Sequence, residues 1–215
     1  MCAALTEEEL ERLRVIISSV RFGARQTIFQ EGDPATHLFN VVDGAVRLYK
    51  LLADGRRQIT GFLFSGDFLG LAMNDSYAYS AEAISEVSLC RFPRLKLEAL
   101  LEEFPKMEKR LLGIASNELA AAQDQMLLLG RKTAREKIAS FLLLLVRNAA
   151  HRGRSENPLA VPMNRTDIAD YLGLTIETVS RTLTGFRNAG IVAMVENGRV
   201  SIENREELEV IAEGG

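Results

Sequence analysis

The chain has 215 residues, 47% of them hydrophobic and 26% charged, with a formal net charge of −3, which excludes a disordered chain and fits one large or two small folded domains. Its longest apolar run, Phe141 to Val146, is six residues, far short of a membrane span, so no membrane partner is expected. The first residues are acidic rather than basic, so no secretory leader is expected. The two cysteines, Cys2 and Cys90, make no disulfide framework, and together these features point to a reducing cytoplasm.

Residues 6–18 read as a short amphipathic helix, with Leu10, Leu13 and Ile17 on one face. From Phe22 to Phe92 the pattern changes to short β-type runs separated by Gly-containing turns. The runs are 26–29, 38–42, 46–52, 58–63 and a last one over 81–91. Many short strands at regular spacing predict a sandwich or small barrel. Residues 94–101 are expected to be helical, ending near Phe104-Pro105.

A long helix is predicted from about Lys106 to Gly130. Leu112, Ala115, Leu119, Ala122, Met126 and Leu129 fall at alternating steps of three and four, a heptad seam suited to pairing with a second copy. A second apolar row, Leu111, Ile114, Leu127 and Leu128, is left to face the barrel. A carboxylate at position 122 would meet its symmetry mate. Alanine removes that repulsion and predicts a homodimer that forms without a signal.

Another helix is predicted over 134–149, packed by Ile138, Phe141, Leu142 and Leu145, then a polar loop and a short strand at 159–161. Residues 165–190 follow, reading RTDIADYLGLTIETVSRTLTGFRNAG. A helix-turn-helix needs a small residue where its helices approach, a glycine that can turn left-handed, and an apolar residue that locks the crossing. Ala169, Gly173 and Val179 supply these in order. Thr175 is a candidate cap for the second helix, whose Ile176, Val179, Leu183 and Phe186 are expected to pack inward. Glu177, Ser180 and Arg181 then face outward as base readers, with Thr184 on the same side. A guanidinium suits guanine O6 and N7, a carboxylate suits cytosine N4, and a hydroxyl suits several edges. Asn164, Arg165 and Thr166 are placed for the DNA backbone, as is Thr184. A hairpin over 191–202, turning at Asn197-Gly198, is placed to be a wing. Charge agrees: residues 131–190 hold ten Lys and Arg against five Asp and Glu, inside an acidic protein.

The barrel run FQEGDPATHLFNVVDGAVRLYK, the block GDFLGLA, the segment QDQMLLLGRKTAREKIASFLL and DYLGLTIETVSRTL resemble the Crp/Fnr family, and within it the FixK-like branch. The resemblance covers nearly the whole chain. It implies an α+β protein: a cyclic-nucleotide-binding-like (cupin-type) β-barrel over 1–104, a dimerisation helix over 105–131 and a winged helix-turn-helix over 132–215. It implies a transcription activator that binds double-stranded DNA and contacts RNA polymerase. Carried over, Glu177, Ser180 and Arg181 would read a TTGA-type half-site. Departures from the family pattern bear on sensing. Nucleotide-binding members carry Gly-Glu and Arg-Ser pairs where this chain has Gly70-Leu71 and Tyr79-Ser80. Cluster-binding members use four Cys, where this chain has Cys90 at one matching place and Cys2 standing alone. No cofactor is therefore expected, haem included, since His37 is a lone candidate ligand. Cys90 is left as a candidate redox residue.

Three other readings remain. An unrecognised ligand in the barrel would require a cavity with polar groups in its wall. A cupin-like enzyme would require a metal-binding cluster, which His37 and His151 do not furnish. A nucleotide-binding module that controls a partner enzyme leaves the helix-turn-helix without a use.

Overall fold

The computed structural model describes residues 6–71, 75–196 and 198–215. Cys2 therefore lies outside the described residues, as does Asn197 of the hairpin turn. The chain divides into two compact units, Met1–Arg56 with Thr60–Ala122, and Arg57–Ile59 with Gln123–Gly215.

The first unit begins with helix α1 (Glu7–Ile16), two residues shorter at its end than the periodicity predicts. Thr6 caps it through a reciprocal box with Glu9, and the chain turns extended at Ile17. Eight strands follow: β1 (Ser18–Phe22), β2 (Thr27–Phe29), β3 (His37–Asp43), β4 (Ala45–Leu51), β5 (Arg57–Phe64), β6 (Phe68–Leu69), β7 (Ser80–Ala83) and β8 (Val87–Pro93). They form two four-stranded sheets in the orders β1-β8-β3-β6 and β2-β7-β4-β5. Phe39, Val41, Val87 and Leu89 of one sheet and Phe29, Val46, Ala81 and Ala83 of the other share a buried core between them. On the outer side of the first sheet, Leu38, Phe68 and Phe92 pack against Leu13 of α1, Leu97 and Leu100 of α2 (Arg94–Glu103), and Met107 of α3 (Pro105–Arg131).

Two expectations change here. The run 81–91 is two strands, β7 and β8, because Ile84–Glu86 turns the chain between sheets. Strand β1 was not anticipated, since its polar Ser18, Ser19 and Arg21 mask the inward Val20 and Phe22. The β3–β4 turn depends on Gly44, whose φ is +91° and whose missing Cβ would collide with the Glu86 carbonyl oxygen. Gly44→Ala is expected to cost roughly 1–3 kcal/mol for the backbone conformation alone. A lower urea midpoint with an unchanged slope checks this; an unchanged midpoint would show that the turn rearranges freely.

Along α3, Leu112, Leu119 and Met126 are 67%, 62% and 71% exposed, and Ala115 and Ala122 are exposed with them. Leu129 is partly covered, beside Gly173. Ile114 packs on the helical side of the first unit's core as expected, and Leu128 is buried. Leu127 is a correction: it is 64% exposed. At about 100° per residue it lies roughly 160° round the helix from Leu111, so the two cannot share a face.

The second unit is built on α4 (Ala134–His151), capped by a Thr133–Glu136 box, with Ile138, Phe141, Leu142 and Leu145 buried. Around it stand α5 (Arg165–Leu172), α6 (Ile176–Asn188), a three-stranded sheet of β9 (Leu159–Ala160), β10 (Val192–Val195) and β11 (Arg199–Ile202), and α7 (Arg205–Glu213). The strands run β10-β11-β9, with Val192 opposite Ile202 in the hairpin. Helix α7 was not anticipated. Asn204 caps it and Leu208, Ile211 and Ala212 bury its inner face against α4. The Lys132 ammonium donates to the Ala212 carbonyl at 2.8 Å, placing a cation where the helix dipole is negative.

Candidate nucleic-acid interface

Helix α5 starts at Asn164, whose Oδ1 accepts from the Asp167 N–H at 2.8 Å while the Asp167 carboxylate accepts from the Asn164 N–H. The cap uses the Asn164 amide oxygen, so its amide N–H₂ is the part of the side chain left to donate. The helix ends at Gly173, which takes the left-handed conformation at φ 61°, ψ 43°. An L-residue there would be strained, so the glycine fixes where the turn falls. Ala169, 3% exposed, lies under the crossing, and Val179 of α6 is fully buried beneath it.

Helix α6 begins at Thr175, whose Oγ1 accepts from the Thr178 N–H at 3.2 Å. Val179, Leu183 and Phe186 are buried at steps of four and three, so one face is committed to the core. That commitment orients the opposite face. Glu177, Ser180, Arg181, Thr184 and Arg187 are all exposed on it. The Glu177 carboxyl lies below the ordinary carboxylate range, held there by a backbone N–H and then by the Thr175 hydroxyl. It is therefore ionised and can only accept hydrogen bonds. Among the described residues, Arg181 forms no ion pair, so its five donors remain for an outside acceptor.

Ile176 does not pack inward as expected; it is 43% exposed. It sits at the first helical position, where the turn lifts its side chain away from the core that Val179 enters. Thr166 is exposed at the start of α5, and Arg165 is half-buried with Nη2 4.0 Å from Met194 Sδ in β10. The start of α5, the outer face of α6 and the β10–β11 hairpin thus belong to one unit, with Gly198 in its turn at φ 69°. Sequence reasoning missed Arg135 of α4, whose guanidinium lies 5.4 Å from the Phe186 ring centroid and ties α4 to α6.

Two family matches divide the chain in the same way: residues 19–104 match the cyclic nucleotide-binding domain, and residues 136–211 match the Crp-like helix-turn-helix domain. The nitrogen fixation regulation protein FixK of Bradyrhizobium diazoefficiens is 43% identical over 213 residues, 99% of this chain and 89% of that protein. The chain belongs to the Crp/Fnr family of transcription regulators. The transcriptional activator protein FnrL of Cereibacter sphaeroides is 40% identical over 198 residues, 90% of this chain and 80% of that one. The structure of FixK2 from Bradyrhizobium japonicum superposes with a TM-score of 0.86 at 39% identity, covering 91% of this chain and 97% of that one. The protein is accordingly a Crp/Fnr regulator of FixK type that binds DNA to control transcription, and its relatives are regulators, not enzymes.

The positions matching the family's ligand groups form a closed arrangement in this regulator. The Tyr79 hydroxyl accepts from the Gly70 N–H at 3.0 Å, and burial pushes the phenol up to about 12, so it stays neutral. The Ser80 hydroxyl accepts from the Glu31 N–H at 2.9 Å and is buried. Cys90 lies half-buried in β8, outside any disulfide. His37 opens β3 with its Nδ1 2.9 Å from the Thr36 hydroxyl, and among the described residues no cluster of three His, Cys, Asp or Glu could hold a metal ion. Within the described residues no helix is long and apolar enough to cross a membrane.

Proposed function

We propose that this regulator acts as a homodimer on a palindromic TTGA-type site, reads it with Glu177, Ser180 and Arg181, and does so without cyclic nucleotide or iron–sulfur cluster. The observation that carries the reading is the division of α6: Val179, Leu183 and Phe186 hold one face in the core while an acid, a hydroxyl and a guanidinium stand outward together. A two-fold dimer would present two such helices to successive major grooves, about one helical turn apart. Asn164, Arg165, Thr166 and Thr184 supply phosphate contacts that set the register. Ile176, exposed beside Glu177, adds an apolar group suited to a thymine methyl. Contact with RNA polymerase and residence in the cytoplasm follow from the family's work in transcription.

The cofactor-free part of the reading rests on donor chemistry. A cyclic nucleotide needs a cation at its phosphate, and a neutral tyrosine stands at the matching place, already bonded to Gly70. A four-iron cluster needs four thiolates, and the chain has two cysteines. The residues do not fit either group.

Footprinting of purified protein on random palindromic DNA tests the whole reading. Protection of TTGA-type palindromes, unchanged by cyclic AMP or reductant, is expected. Protection only with cyclic AMP, or of asymmetric sites, would overturn it. The seam has its own test. Ala122→Asp would bring like charges together and is expected to shift sedimentation from dimer toward monomer at micromolar protein. An unchanged profile would place the dimer contact elsewhere.

A further inference from the structure

We propose that the barrel end between β1, β2, β3 and β8 is a binding site for a small amphipathic monocarboxylate, its apolar body among the aromatic rings and its carboxylate on Arg91. A cavity of about 430 Å³ opens there, lined among the described residues by Val20, Phe22, Ile28, Phe39, Tyr77 and Arg91, with Asp33 and His37 also in its wall. That volume lies within the range of small-molecule sites, and the composition, a mostly apolar wall with a few polar groups, is the usual one. Leu71, Tyr79 and Ser80 are not among its lining residues, so it is distinct from the place where the family's nucleotide groups would stand.

Side chains alternate across β8. Val87, Leu89 and Arg91 point to the same side, and the first two are fully buried in the core between the sheets. The third inward position should also be apolar. It is an arginine instead, paired across the sheet with Ser18 on one side and Phe39 on the other. Arg91 Nε donates to the Ser18 hydroxyl at 3.1 Å, and among the described residues no carboxylate forms an ion pair with the guanidinium. Asp33, the one acid in the wall, accepts from the Gln30 N–H at 2.9 Å and so closes its own turn. A half-buried cation that faces a barrel interior without an ion-pair partner invites an anion. The aromatic wall specifies the rest of the ligand: Phe29 and Tyr77 stack with centroids 3.8 Å apart, and Phe39 lies 5.9 Å from Phe29. His37 falls below its ordinary range, first through burial and then through the Arg91 charge, which agrees with a cation close by. A phosphate ester would carry more charge than one arginine offsets, and an uncharged body would leave the guanidinium unmatched.

The probe is 3-phenylpropanoate, with its neutral amide as control, titrated into the full chain while the methyl resonances of Val20 and Ile28 are followed by NMR. Saturable shifts at both residues are expected for the acid. Binding about tenfold or more weaker is expected for the amide and for Arg91→Gln, as loss of a charge-assisted pair requires. Arg91→Lys should recover part of the affinity. Equal binding of acid and amide, no saturable shift with the acid, or unchanged affinity in Arg91→Gln would each overturn the proposal. Should Arg91→Gln fail to fold by circular dichroism, Val20→Phe fills the cavity instead. Loss of binding supports the site, and retained binding overturns it. DNA footprints do not enter this test, so its outcome is separate from the DNA-reading proposal.

Discussion

Replacing Arg181 with alanine is expected to abolish discrimination at one base pair in each half-site while leaving the protein folded and dimeric. Arg181 is exposed, with neither core packing nor an ion pair among the described residues, so its removal leaves no buried group unmatched. The loss therefore appears on DNA alone. A bidentate arginine–guanine pair contributes about 1–3 kcal/mol of discrimination, and a two-fold dimer makes it twice, roughly 2–6 kcal/mol per palindrome. Competition titrations with the TTGA palindrome and with the same palindrome changed at the guanine read it directly. The native protein should prefer the first strongly, and the variant should bind both alike. Non-specific affinity should fall only by what one phosphate-range charge contributes, visible as a slightly shallower salt dependence. Equal loss on both DNAs would make Arg181 a backbone contact and move the base reading elsewhere on α6. Glu177→Gln is the companion measurement. It converts an ionised acceptor into an amide that can also donate, so it should relax the preference rather than erase it.

The DNA-reading half was legible because its signals are local. A cap, a left-handed glycine and an apolar repeat lie within 26 residues, and each is realised: Thr175 caps α6, Gly173 is left-handed, and Val179, Leu183 and Phe186 are buried. Ile176 escaped because helical periodicity does not resolve the first turn, where the chain is still entering the helix. Helix α7 escaped for the opposite reason. Its cap and acidic first turn were present at Asn204, Glu206 and Glu207, but only four apolar residues follow, and the three that are buried, Leu208, Ile211 and Ala212, pack against α4. In the barrel, strands were legible by turn glycines and illegible where polar residues face outward on an edge strand, as in β1. Arg91 shows the remaining limit. Sequence alternation marks it as an inward position only once the register of β8 against β1 and β3 is known. Its lack of a carboxylate partner depends on loops that no period describes. The sequence likewise could not reveal that Tyr79 bonds to the Gly70 backbone, a contact between residues nine apart in the chain.

The second large effect is expected at Phe186, which is fully buried although it belongs to the helix proposed to read DNA. Phe186→Ala removes a ring from the contact between α6 and α4 and leaves a cavity, at a cost of about 3–5 kcal/mol. It also removes the face on which the Arg135 guanidinium rests, a further contribution of roughly 0.5–1 kcal/mol. Against a total domain stability of about 5–15 kcal/mol, that is a large fraction. Thermal unfolding followed by circular dichroism should show a clear fall in midpoint. The DNA consequence differs in kind from that of Arg181. Every base-reading group remains, but the face that aims them is no longer held, so specific affinity should fall at temperatures well below unfolding. Phe186→Leu separates the two contributions. It refills much of the cavity and should recover most of the stability, yet it cannot receive the cation. Arg135→Ala should then destabilise the native protein and leave Phe186→Leu nearly unchanged, a coupling that a double-mutant cycle reads out. Equal effects of Arg135→Ala in both backgrounds would mean that the guanidinium acts through solvent or DNA and not through the ring. In that case the packing of Val179 and Leu183 alone fixes the angle at which α6 meets the duplex.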